Sequence, residues 1–153
     1  MCNVIMMDDS YKNSTSVHNL VAYVLRDKDT KKRVHYYGGY GVNINNADEQ
    51  IMWVKNYYRK TDNRMMRHII VSFDEDITPY DAYILGWRIS AYYGDRYQLV
   101  FGVHEDTDHI HIHIVFNTVS FIDGRKYSEG FRDLSNFEHY VNLVYSDYFK
   151  LKY

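Results

Sequence analysis

The sequence predicts an α+β fold: a central antiparallel sheet of about five strands with helices packed on its faces. Three observations carry this reading. Stretches of strand-like alternation interleave with stretches of helical spacing along the whole chain. Two strand stretches, residues 97–104 and 109–121, are joined by the short acidic turn Glu105-Asp106-Thr107-Asp108, as in a hairpin. The 153 residues are 46% apolar, which suits one domain over 1–153 built on one core.

Taken in order, residues 1–14 are polar and read as irregular, with a short apolar patch. Ser14, Thr15 or Ser16 is expected to cap a helix running to about Arg26, because Val17, Leu20, Val21 and Val24 then share one face. Residues 27–33 form a charged loop. Residues 34–43 alternate and are rich in aromatics, a strand interrupted by Gly38-Gly39. A second helix spans about 46–60, with Ile51, Val54 and Tyr58 at helical spacing. Residues 65–73 (MMRHIIVSF) are a strong strand. Thr78-Pro79 opens a third helix, with Thr as cap, Pro at the first helical position and Asp81 in the first turn. Gly94-Asp95 ends it. Asp123-Gly124 is a turn, and Ser135 to Glu138 is a capping box that opens the last helix.

Composition excludes several classes. The single cysteine, Cys2, leaves no intramolecular disulfide and no cysteine-based zinc site. No apolar run approaches the roughly 18 residues that a membrane span needs. The N-terminus lacks the basic start and long apolar stretch of a secretory signal, so the expected setting is cytoplasmic. The net charge of −2 argues against nonspecific duplex binding, yet basic residues cluster. Residues 26–33 carry a local excess of positive charge, including Lys31, Lys32 and Arg33, and so do residues 55–67. The 17 tyrosines offer stacking faces of the kind that hold unpaired nucleic acid, besides their ordinary packing role.

The most informative stretch is His104-Glu-Asp-Thr-Asp-His109-Ile-His111-Ile-His113-Ile-Val-Phe-Asn117. Side chains alternate across a strand, so Ile110, Ile112, Ile114 and Phe116 line one face. His109, His111, His113, Val115 and Asn117 line the other. The isoleucine face can bury against helices; the histidine face then looks into a polar cleft or a metal. Same-face neighbours stand about 7 Å apart, close enough for two imidazoles to tilt toward one ion at about 2.1 Å each. His104 ends the preceding strand and can lie across the hairpin from them. Three neutral imidazoles leave coordination positions open, as a catalytic metal requires. Asp106 and Asp108 can orient imidazole N–H groups or be ordinary turn acids. His109 can orient the site or contact substrate, or simply lie on the surface.

The pattern H-x-D-T-D-H-x-H-x-H-x-V-x-N over His104 to Asn117 resembles the metal motif of relaxases of the P-type mobilisation class, within the HUH endonuclease superfamily. Arg67 to Phe73 (RHIIVSF) is similar to that family's central strand, and Val119 to Tyr127 (VSFIDGRKY) to its continuation. The likeness runs from about His18 to Tyr127. It implies a bacterial enzyme that nicks and rejoins single-stranded DNA at a transfer origin with the help of a divalent ion, Mn²⁺ or Mg²⁺. It also implies relaxosome accessory and coupling proteins as partners, and a chain that can be either a compact version or a fragment of a longer relaxase. The resembled family's nucleophile is an N-terminal tyrosine, and the matching position is Tyr23, in an apolar-x-Tyr-apolar segment ahead of the basic loop. Tyr36, Tyr37 and Tyr40 are rivals to it. His68 stands as a group behind the metal or a phosphate donor, with a buried structural role as the alternative; Asn117 is placed with it. Lys31, Lys32, Arg33, Arg125 and Lys126 are candidate DNA contacts. A rolling-circle replication initiator would instead use a tyrosine after the histidines, such as Tyr127, Tyr140 or Tyr145. A noncatalytic DNA-binding accessory protein is the reading from another class.

Overall fold

The computed structural model describes residues 2–105 and 108–152. Its strands are β1 (Cys2–Met6), β2 (Tyr37–Tyr40), β3 (Met66–Phe73), β4 (Leu99–His104) and β5 (His111–Asn117). Its α-helices are α1 (Ser14–Leu25), α2 (Ala47–Tyr57), α3 (Pro79–Gly94) and α4 (Asp133–Lys152). The strands form one antiparallel sheet in the order β1-β3-β5-β4-β2. The histidine strand β5 is therefore central, with β4 and β3 on either side.

Strand alternation assigns the two faces. Ile112, Ile114 and Phe116 point into a cluster with Leu85, Ile89 and Tyr93 of α3 and Phe137 and Val141 of α4. Val115 points the other way, into a cluster with Val17, Leu20 and Val24 of α1 and Ile51 of α2. Helices thus cover both faces, and the histidine side of β5 lies under α1. The third helix begins as its sequence requires. Thr78 accepts from the Asp81 backbone N–H, the Asp81 carboxylate accepts from the Thr78 N–H, and Pro79 takes the first position.

Four expectations change. The stretch expected to be irregular contains β1, an edge strand that pairs Cys2 with Phe73 and Met6 with Ile69. The cap of α1 is Asn13, whose side chain accepts from the Ser16 N–H, so Ser14 to Ser16 are already helical. The second strand is shorter than expected and stops at Tyr40, where Gly41 turns the chain at φ +69. The last helix starts at Asp133, which puts Ser135 inside it rather than at its cap.

Candidate active site

Three histidines converge where β4 ends and β5 begins. The register sets His104 opposite His111, and Gly102 opposite His113. Ring centroids lie 4.4 Å apart for His104 and His113, 4.9 Å for His111 and His113, and 5.7 Å for His104 and His111. One ring nitrogen from each lies within 4.8 Å of the others. Three nitrogens bound at about 2.1 Å around one ion stand about 3.0–3.6 Å apart, so a modest inward tilt of the rings completes a site.

The outer side of each ring is held. His104 Nε2 donates to the Val24 carbonyl at 2.8 Å, and His111 Nδ1 donates to the His109 carbonyl at 3.2 Å. A carbonyl only accepts, so a proton sits on each of these nitrogens and each ring turns its other nitrogen, His104 Nδ1 or His111 Nε2, away from that carbonyl. His113 Nδ1 lies 2.9 Å from His68 Nε2. Its other nitrogen, Nε2, is buried and has no hydrogen-bond partner among the described residues. Burial pushes the His68 imidazole down to about 4 and lowers His113 further, so both rings are neutral at physiological pH. Oriented imidazoles, with His113 neutral and one of its ring nitrogens orphaned, are a donor set that fits a divalent cation.

Tyr23 stands over this cluster. Its ring centroid lies 5.1 Å from His113, 5.9 Å from His104 and 6.2 Å from His68, while the residue is 48% exposed. Helical spacing produces this position: Val17, Leu20, Val21 and Val24 are buried, and Tyr23 falls at the edge of their stripe. The last turn of α1 then sits directly on β4. A Cβ at Gly102 would lie 2.1 Å from the Val24 carbonyl oxygen, so only glycine lets the helix approach this closely. That approach brings the negative end of the α1 dipole to the histidines, which favours a cation there.

The other tyrosines are occupied elsewhere. The Tyr127 hydroxyl donates to Asp133, Tyr140 to the Arg88 carbonyl and Tyr145 to Glu75. Tyr40 donates to the Trp87 carbonyl, Tyr36 packs on Tyr83, and Tyr37 lies under the Arg33 guanidinium. None of these stacks on the histidines.

The remaining candidates divide. His68 lies directly behind His113. His109 contributes its backbone carbonyl, and the residue is exposed. Asp106 lies outside the described residues, and Asp108 is exposed. Lys32 and Arg33 line a cavity with Glu105, next to His104. Lys31 is exposed in the same loop, at φ +62. Arg125 and Lys126 follow the opposite end of β5, about 20 Å along the strand from His111 at ~3.3 Å per residue. Asn117 does not serve the site. It is fully buried, accepts from Lys55 Nζ and the Val119 N–H, and donates to Gln98 and Ile51. It holds α2 against the sheet. The second basic stretch is also smaller than its composition, since Lys55 and Arg67 are buried.

Three participants had no signal in local spacing: Gly102, the Val24 carbonyl and Tyr11. Tyr11 sits between β1 and α1 at φ +48, and its hydroxyl lies 3.2 Å from His68 Nδ1. Together with Asp9, Ser16, Asn19, Tyr23 and His68 it lines an open cavity of about 420 Å³ beside the histidines.

Comparison with known proteins places this site in context. The family model "Relaxase: MobA/VirD2-like, nuclease domain" matches residues 23–148. The chain is 28% identical over 99 residues to the Rlx protein of Staphylococcus aureus, a match covering 64% of this chain and 30% of that protein. It is 35% identical over 63 residues to the group II intron-interrupted relaxase LtrB of Lactococcus lactis subsp. cremoris, covering 39% of this chain and 11% of that protein. The matched stretches therefore span less than a third of these relatives. A solved structure described as "Molecular Basis of Vancomycin Resistance Transfer in Staphylococcus aureus" superposes with a TM-score of 0.65 at 14% identity. That superposition covers 99% of this chain and 94% of the other, and it shows a shared fold.

Proposed function

Since this chain belongs to the MobA/VirD2-like relaxase nuclease family, we propose that it nicks and rejoins one DNA strand at a transfer origin, with Tyr23 as nucleophile. The observation that carries this reading is the Tyr23 ring lying against His104 and His113 of the three convergent histidines. His104, His111 and His113 would hold a divalent ion, Mn²⁺ or Mg²⁺; bound there, it supplies positive charge to the scissile phosphate. Imidazole donors rank Mn²⁺ ahead of Mg²⁺, which prefers oxygen.

The chemistry is a transesterification. The Tyr23 phenol loses its proton and its oxygen bonds to phosphorus, while the bond from phosphorus to the 3′ oxygen breaks. The 3′ oxygen leaves and takes up a proton. One phosphodiester replaces another, so the step reverses without external energy and rejoins the ends. A free phenol has a pKa of about 10, so the attack depends on positive charge and ordered acceptors around the hydroxyl.

The substrate is an unpaired strand. The cleft beside Tyr23 is open, and the Lys31 to Arg33 loop stands next to His104 to meet phosphates. Arg125 and Lys126 would meet the strand farther along. The parent element's accessory and coupling proteins are the partners that such a nickase serves, and a cytoplasmic setting follows from this role. No helix among the described residues is long and apolar enough to cross a membrane.

The test is incubation with origin-derived single-stranded oligonucleotide and Mn²⁺, followed by denaturing gels. The wild type is expected to form a covalent adduct at a 5′ phosphate. Tyr23→Phe is expected to bind metal and DNA but form none. An adduct formed by Tyr23→Phe at the wild-type rate would reassign the nucleophile. Binding of metal and DNA without any adduct from the wild type would favour an accessory protein.

A further inference from the structure

The histidines explain a metal, but two polar groups behind them, buried His68 and half-buried Tyr11, have no part in that account. His68 is 4% exposed and sits on β3 opposite Val115, one diagonal step from His113. Tyr11 belongs to the segment between β1 and α1. This segment is fixed to the residues just before β3: Arg64 donates to the Asp8 carbonyl, and the Met65 N–H is shared between the Ser10 and Tyr11 carbonyls. Such anchoring of a left-handed residue places one hydroxyl, that of Tyr11, against one ring nitrogen of His68.

We infer that His113, His68 and Tyr11 form a directional hydrogen-bond chain that positions the metal ligand His113 and ends in the substrate cleft. The inference rests on the metal reading above and follows from counting protons. A neutral imidazole has one N–H and one lone pair. When His113 Nε2 spends its lone pair on the metal, its proton is on Nδ1 and must be donated to His68 Nε2. His68 then carries its own proton on Nδ1 and donates it to the Tyr11 oxygen. Tyr11 accepts, and its hydroxyl proton turns to the cleft, where the Asp9 carboxylate lines the wall beside it. Burial first and Asp9 second push the Tyr11 phenol up to about 12, so it remains a donor throughout the working range. Metal binding thereby selects one proton arrangement across three residues. Tyr11 and His68 are positioning residues in this scheme; neither touches the ion.

Two measurements test it. The first is ¹⁵N NMR of the imidazoles in protein loaded with diamagnetic Zn²⁺. Both His113 and His68 are expected as Nδ1–H tautomers; His68 as the Nε2–H tautomer would overturn the chain. The second is Mn²⁺ affinity by calorimetry. His68→Leu is expected to weaken binding by about 10–100-fold, the range for lost outer partners of ligating histidines. His68→Gln keeps an acceptor oxygen for the His113 N–H and should recover most of that loss. Tyr11→Phe should weaken binding in the same direction by a smaller factor. Wild-type affinity in His68→Leu would overturn the chain and leave the metal reading standing. A wild type that takes up no metal would overturn both. If His68→Leu does not fold, the NMR measurement on the wild type decides alone.

Discussion

The two faces of the sheet are built from the same strands and do opposite work. Toward α3 and α4 the strands present isoleucine, valine and phenylalanine, and a run of aromatic contacts fills the space. Phe116 stacks on Tyr93 at 4.5 Å, and Trp87 meets Phe101 edge-on at 5.3 Å. Toward α1 and α2 the strands present histidine at one end and a buried Lys55–Asn117–Gln98 network at the other, with a smaller apolar cluster between. The first face supplies the rigidity that the second needs. Polar groups on the second face are costly to bury unless each is partnered; the sheet fixes the positions that partner Lys55, Asn117 and His68, and leaves His113 Nε2 as the exception.

This contrast can be broken from either side. The largest effect is expected on the site face. His111→Ala removes one ligand from a half-buried position, so metal uptake and adduct formation should both disappear while circular dichroism shows a folded protein. Unfolding instead would mean that the faces are not separable. On the other face, Phe116→Ala should cost about 3–5 kcal/mol in denaturant melts. The surviving folded fraction should keep its Mn²⁺ affinity. Gly102→Ala sits between the two. The added carbon meets the Val24 carbonyl at 2.1 Å, so the variant should lose about 1–3 kcal/mol. It should also form less adduct, because α1 shifts away from His104 together with Tyr23.

The smallest effect is a pH slope from the Lys55 end of the site face. Burial, with Lys126 adding repulsion, pushes the Lys55 ammonium down to about 7. Unfolded, this lysine holds its proton to about 10.4. Between these values the unfolded chain binds more protons, so stability should rise as pH goes from 7 toward 10. Lys55→Met should flatten that rise in melts run across the window. An equal slope in both proteins would assign it to other groups.

Where a feature depended on local periodicity, the sequence was sufficient. The alternation of residues 110–116 told which side of β5 was apolar, and Thr78-Pro79 with Asp81 marked the start of α3. Helical spacing alone puts Tyr23 at the edge of the apolar stripe. Features that depend on distant partners were not legible. Cys2–Met6 reads as irregular because apolar Val4, Ile5 and Met6 follow one another without alternation, and Ile5 is 54% exposed at the sheet edge; the strand is defined by its distant pairing with residues 69–73. Ser135 to Glu138 has the pattern of a capping box, yet the helix begins two residues earlier at Asp133. The carboxylate of Asp133 accepts hydroxyls from Tyr93 and Tyr127, partners that no local pattern could indicate. Asn117 looked like part of the histidine motif because it shares the histidine face. It lies too far along the strand to reach the three histidines, and α2 claims it instead.

The missing side chain at Gly102 also defines what can be exchanged. Because nothing but a hydrogen separates β4 from the α1 carbonyls, the helix carrying Tyr23 and the strand carrying His104 are matched surfaces with no room for adjustment. A laboratory that grafts the first helix of another family member onto this scaffold would have to move β4 with it. The transplantable unit is the helix and strand as a pair, although Val24 and His104 stand 80 positions apart in the sequence.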